Sequence, residues 1–299
     1  MRLRPLEALN LAALAVLATV TLLLWRRLAD PGDILLRFSL MGAFLAVIVF
    51  LTQLPRPLPK ALQVAVDFYP AAFIPFVYES LGVLIGAARG RPRDDLLIAA
   101  DRAILGDDVT VLLQPLVRPG LAALLYVAYS TYYFLPIVLG AALWRKSRPE
   151  ARRFIFTLTV CFYISYAGYF TIPAFGPRTA LADRHTVPLN TNSVARAIDR
   201  TINQLEHTKL DAFPSGHTMI TIAVLIVAWR RDRRLFWWML PAAALLVFST
   251  MYCRYHYLVD VLAGILLAFA TVPLGDRLYE WMLGRPRSIR PEESRSRDR

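Results

Sequence analysis

The apolar residues of this chain come in long runs, with the polar residues gathered between them, and no strand-type alternation or internal repeat interrupts the pattern. Runs approaching the roughly 20 residues that a helix needs to cross a bilayer predict membrane spans. They fall near Ala8 to Trp25, Leu35 to Leu54, Ala61 to Ala88, Leu121 to Trp144, Phe154 to Phe175, Gly216 to Trp229, Leu235 to Cys253 and His256 to Leu274. The third contains Pro70 and Pro75 as well as Asp67 and Glu79, so a broken or re-entrant span is expected there. The first begins like a secretory signal but runs into Trp25-Arg26-Arg27 without a small-residue cleavage site, which predicts a retained span. The fold class expected is all-α, a polytopic transmembrane helical bundle. It divides into N-terminal spans (1–60), a membrane-embedded helical domain (61–282) and a disordered basic tail (283–299), "GRPRSIRPEESRSRDR" from Gly284 onward.

Composition agrees, because 57% hydrophobic and only 19% charged residues among 299 leave too little polar surface for a soluble globule. The mean hydropathy of +0.45 says the same. Charge adds an orientation. Of the 34 Lys and Arg behind the net +12, five lie in "WRKSRPEARR" (Trp144 to Arg153), four in "RRDRR" (Arg230 to Arg234) and six beyond Gly284. All three clusters fall on one face of the predicted bundle, which the positive-inside tendency makes cytoplasmic, together with the C-terminus. Basic loops beside spans account for the charge, so no nucleic-acid partner is expected. Arg26 and Arg27 fit the rule less well, since eight spans put them on the opposite face. Cys161 and Cys253 lie in or at the ends of apolar runs and read as small core residues.

The segments before His217 and before His256 then share the non-cytoplasmic face, and the chemistry-bearing residues gather there. "DAFPSGHT" (211 to 218) opens a span with Pro214 and the N-cap Ser215, yet a helix start gives no reason for His217. "TIPAFGPRTAL" holds Arg178, and "MYCRYHYLVDVLAG" holds Arg254, His256 and Asp260. His256 and Asp260 are four apart, one turn on a single helix face, where a carboxylate fixes an imidazole's tautomer and supports its charge. Such a pair prepares a nucleophile or a base, or else staples helix ends. Arginine forks match phosphate oxygens, and free N–H groups at a helix N-terminus add anion donors. The ensemble reads as a phosphate site with two histidines, each in the first turn of a helix. Gly216 to Trp229 spans only about 21 Å as a helix, so the turn at Ser215 sits below the membrane surface, within lateral reach of a lipid head group.

"PSGH" at 214 to 217, followed some 40 residues later by H-x-x-x-D with an upstream arginine, resembles the second and third signatures of the type 2 phosphatidic acid phosphatase superfamily. The compact "RYHYLVD" and the preceding "GPR" are similar to its inositol phosphorylceramide synthase-like branch, a relative of the sphingomyelin synthases. The resemblance implies a six-helix phosphatase-type core with two extra N-terminal spans. It also implies phosphoryl transfer without metal or other cofactor. His256 would be the nucleophile oriented by Asp260, and His217 the acid toward the leaving alcohol. Ser215, Gly216, Arg178 and Arg254 would hold the phosphate oxygens. The chain departs from the pattern in having Thr171 where the first signature has lysine, Pro177 before rather than after Arg178, and Arg254 only two residues ahead of His256. These departures favour the transferase-like branch.

The expected partners are a membrane phospholipid donor and either a lipid alcohol or water as acceptor, so a lipid-phosphate phosphatase is the alternative; a transporter or scaffold is a third reading. Val194, Ile198, Ile202 and Leu205 keep helical spacing, suiting an interfacial roof over the site or a surface helix packed on its neighbours. His185 and His207 read as solvated loop residues. Asp67, Glu79 and Asp101 suit an acceptor head-group site or a structural polar cluster.

Overall fold

A computed structural model describes residues 3–88, 91–189, 192–205 and 209–284; His207 and the basic tail beyond 284 lie outside the described residues. In chain order the helices are α1 (Pro5–Leu23), α2 (Pro31–Thr52), α3 (Lys60–Phe68), α4 (Pro70–Ala87), α5 (Asp94–Leu105), α6 (Val109–Leu112) and α7 (Pro119–Ser130). They continue with α8 (Leu135–Lys146), α9 (Arg148–Thr171), α10 (Pro177–Ala180), α11 (Ser193–Leu205), α12 (Gly216–Arg231), α13 (Arg233–Tyr252) and α14 (Leu258–Met282). No strand occurs among the described residues.

Prolines and polar caps set the helix starts. Pro31 opens α2 behind Asp30, whose carboxylate accepts from Asp33 N, and Asp232 caps α13 through Leu235 N at 3.1 Å. The expected interruption of the third span falls at Pro70, which separates α3 from α4, whereas Pro75 is carried inside α4. Among the described residues six stretches are long and apolar enough to cross a membrane, namely α1, α2, α3 with α4, α9, α13 and α14; α7 and α8, bent by 42° at their junction, pass the same test only when taken together. The sixth predicted span, α12, has 16 residues, about 24 Å at 1.5 Å per residue, short of a hydrocarbon core near 30 Å. It can be short because it is interior, packing against α8, α9, α13 and α14, with Met219, Ile220, Val224 and Ala228 fully buried. The N-terminal pair is peripheral, α1 lying on α2 and α9.

One end of the bundle is stitched by charge. Arg153 of α9 and Arg230 of α12 share Asp276 of α14, while Lys146 meets Asp232 at 2.6 Å. At this end Asp67 is enclosed by Arg4, Arg148, Arg152 and Trp144 Nε1, so of the two readings offered for it the structural cluster is the one seen. Glu79 is exposed on α4. Cys161 and Cys253 are both buried.

Sequence patterning missed α5, because a 12-residue amphipathic helix carrying Asp94, Asp95 and Asp101 offers no span-length apolar run. In α11 the buried stripe is Ala195, Asp199 and Ile202, with Val194 turned outward, and the helix packs on α7.

Candidate active site

The end of the bundle opposite the Asp67 cluster is where α12 and α14 begin. Ser215 caps α12, its Oγ accepting from Thr218 N at 3.2 Å and donating to Thr218 Oγ1 at 3.0 Å. Its own N–H donates to the Asp260 carbonyl at 3.0 Å, which ties the start of α12 to the first turn of α14. The helices meet this closely because residue 264 is glycine, where a Cβ would stand 2.7 Å from the Ser215 carbonyl oxygen. At Gly216 the same position would lie 2.4 Å from the Tyr169 hydroxyl.

Two carboxylates of the unpredicted α5 hold the loops that carry the candidate residues. Asp101 accepts from Leu258 N and Val259 N, both at 2.9 Å, and thereby caps α14. Burial pushes its carboxyl above the usual range, although both N–H donors pull it back. Asp94 accepts from Phe175 N at 3.0 Å, Gly176 N at 2.9 Å and the Tyr257 hydroxyl at 2.9 Å, joining the segment that leads to Arg178 to the one that carries His256.

His256 is not in the first turn of a helix as expected; it precedes Tyr257, the N-cap of α14. Its Nδ1 lies 2.8 Å from the Ala212 carbonyl and 3.5 Å from Asp260 Oδ2. A carbonyl can only accept, so Nδ1 carries the proton and Nε2 keeps its lone pair. The carbonyl rather than Asp260 sets the tautomer. Asp260 closes the capping box by accepting from Tyr257 N at 2.8 Å and stands ready as a nearby negative charge. His217 projects from α12 between the rings of Tyr132 (4.2 Å) and Tyr129 (4.5 Å), with the His256 ring centroid 5.8 Å away.

The arginines line an adjoining cavity of about 250 Å³ with Tyr126, His185, Pro188 and Leu189. Tyr255 stacks on Tyr129 at 4.6 Å and Arg178 lies over the Tyr255 ring at 5.4 Å, so an aromatic column runs from the cavity to His217. Arg178 donates to Asp199 and to the Tyr255 hydroxyl. Burial pulls its pKa down, but Tyr255 and Asp199 outweigh it and hold the value above that of free arginine. Arg254 is only 8% exposed and meets the Val187 carbonyl, with no carboxylate within salt-bridge distance among the described residues. Burial, with Arg178 nearby, lowers its pKa. Its φ of +65° is a left-handed conformation unfavourable for a side-chain-bearing residue, taken where α13 ends, and it turns the guanidinium into the cavity wall.

The structure therefore brings Ser215, Gly216, His217, His256 and Asp260 together and puts Arg178 and Arg254 in the next compartment. His185 is not a solvated loop residue. It is half-buried, its Nε2 lies 2.9 Å from Thr110 Oγ1, and burial followed by Arg254 lowers its pKa to about 4. Asp94, Asp101, Asp199 and the tyrosines carried no motif. Among the described residues no group of three or more His, Cys, Asp or Glu side chains is placed to hold a metal ion.

The structure is thus a helical bundle, with helices long and apolar enough to cross a membrane, that sets two histidines beside a cationic cavity. Residues 96–274 match the model of the PAP2 superfamily, which covers more than half of the chain, and the protein belongs to that superfamily. It is also similar to a PA-phosphatase related-family protein of Dictyostelium discoideum, 28% identical over 160 residues, 47% of this chain and 29% of the relative. The chain thus spans less than a third of that relative's length. No solved structure matches.

Proposed function

We propose that the protein transfers a phosphoryl or phosphoinositol-type head group from a membrane phospholipid to a lipid alcohol through a phosphohistidine on His256. Nε2 of His256 attacks phosphorus as the bond to the leaving alcohol breaks, and His217 gives that oxygen its proton. The acceptor hydroxyl then attacks the phosphohistidine, its proton passes to His217, and the P–N bond breaks to return the lone pair to Nε2. Arg178 and Arg254, with the N–H groups at the start of α12, counter the charge on the phosphate oxygens. Asp260 supports the imidazolium character of His256 while it carries the phosphoryl group.

The observation that carries this reading is the pair of imidazoles 5.8 Å apart, with His256 Nδ1 held by the Ala212 carbonyl so that Nε2 is available. The sequence likeness of "GPR" and "RYHYLVD" to inositol phosphorylceramide synthases supports the transferase form. So do the Tyr129 and Tyr132 rings against His217, which shelter the second-step base behind apolar faces. Water as acceptor is the second reading, favoured by the printed name of the Dictyostelium relative. We place the histidine end on the non-cytoplasmic face, since the opposite end carries the Arg148–Arg153 and Arg230–Arg234 clusters.

The test is to incubate the purified protein with phosphatidylinositol and either ceramide or a diacylglycerol whose acyl chains differ from those of the donor. A new phospholipid is expected. Free phosphate or free inositol phosphate without one would replace the transferase by the hydrolase.

A further inference from the structure

Asp199 projects from α11, outside every motif, yet it is only 5% exposed and pairs with Arg178 of the cavity wall. Arg178 Nη2 lies 2.7 Å from Oδ1 and 2.9 Å from Oδ2. Tyr126 and Tyr255 donate their hydroxyls to Oδ1 at 3.2 and 3.4 Å, and Tyr255 in turn accepts from Arg178 Nη1 at 3.1 Å.

We propose that Asp199 is a positioning residue for anion binding, fixing the guanidinium of Arg178 so that its remaining N–H donors serve a phosphate group in the cavity. The proposal rests on the phosphoryl-transfer reading in taking Arg178 as a phosphate ligand. A guanidinium has five N–H donors in a rigid fork, and its value as a phosphate clamp depends on which edge it presents. Here Asp199 takes the Nη2 corner and Tyr255 takes part of Nη1. The donors left over belong to a side chain that forms the cavity wall.

Asp199 is built as a support rather than a gate. Its carboxylate is met by Arg178 and two tyrosine hydroxyls, and α11 is packed on α7, which supplies Tyr126. The same network reaches the acid, since Tyr255 stacks on Tyr129 and Tyr129 lies against His217. Arg254, by contrast, meets the Val187 carbonyl and no carboxylate among the described residues.

The test uses the full chain in lipid nanodiscs, inorganic phosphate as the calorimetric probe, and the phospholipid the wild type turns over as substrate. Asp199→Asn keeps the shape and removes the charge. It is expected to raise both the Kd for inorganic phosphate and the KM about tenfold, with kcat within about threefold. In an Arg178→Ala background the same change is expected to add nothing, because its effect runs through the arginine. Should Asp199→Asn fail to fold, Asp199→Glu, which displaces the carboxylate, is expected to weaken phosphate binding in the same direction. Tighter phosphate binding in Asp199→Asn would overturn the proposal, making Asp199 a competitor of the substrate. A lower melting temperature with Kd and KM unchanged would overturn it as well, leaving a structural role. Phosphate binding is read without turnover. A tenfold weaker Kd with no turnover in the wild type sinks the enzymatic reading alone, and an unchanged Kd beside His256-dependent turnover sinks this proposal alone.

Discussion

Asp101→Ala removes the one carboxylate that receives both Leu258 N–H and Val259 N–H, each at 2.9 Å, from a fully buried position. Hydrogen bonds to a charged group contribute about 1.5–3 kcal/mol each, and a buried N–H left without a partner is costly. The two bonds together make the variant about 3–6 kcal/mol less stable, which for a chain of this size lowers the melting temperature by about 5–10 °C. Asp101→Asn keeps one acceptor oxygen and is expected to fall between the variant and the wild type. Cys161 and Cys253 are buried, so a thiol-reactive fluorogenic probe added to detergent-solubilised protein reports unfolding directly. Asp95→Ala, an exposed carboxylate on the same helix, is the control and should leave the curve in place. Because the lost bonds hold the segment after His256, turnover should fall further than the folded fraction does. An Asp101→Ala melt within about 2 °C of Asp95→Ala would refute the capping argument.

Gly264→Ala puts a methyl 2.7 Å from the Ser215 carbonyl; overpacking of this kind costs about 1–3 kcal/mol, and separating α12 from α14 is expected to depress kcat more than stability. Equal kcat in the variant would show that the α12–α14 approach does not set the histidine spacing. His217→Ala is expected to slow the first, phosphohistidine-forming step by about 10²–10⁴-fold with an alkyl phosphate ester and far less in the p-nitrophenolate burst from a p-nitrophenyl ester, whose leaving group needs no proton; equal losses in that step on both would remove His217 as the acid. Folded His185 has its pKa lowered to about 4 from 6.5, so the unfolded chain takes up a proton in that window that the folded chain does not. Stability from this group is level above pH 6.5 and falls as pH drops toward 4. His185→Gln should flatten that part of the melting-temperature profile, and an unchanged slope would refute the assignment.

The spans and the cap at Ser215 were legible because each is encoded within a few neighbouring residues, and the convergence of "PSGH" with His256 and Asp260 because both segments open on the same side of the predicted spans. What was not legible depends on chain distant in sequence. The tautomer of His256 is set by Ala212, 44 residues away, and α14 is capped from α5 by Asp101, 157 residues away. His256 and Asp260 face one another at i,i+4 only where both are helical, whereas α14 begins at Leu258, two residues after His256, behind its N-cap Tyr257. Arg178 and Arg254 line a cavity beside the two histidines, and the aromatic column of Tyr255 and Tyr129 that links this cavity to His217 has no sequence signature. Asp199 was hidden inside an amphipathic stretch in which the apolar residues alone were counted.

The central claim is that His256 carries the transferred group. Protein incubated with a phospholipid labelled at phosphorus, without acceptor, and quenched in alkali should retain a base-stable, acid-labile label that peptide mass spectrometry places on His256. Addition of a lipid alcohol should discharge it into a new labelled lipid, and His256→Ala should abolish the label while His217→Ala slows its appearance. Label on His217, or full turnover by His256→Ala, would contradict the account.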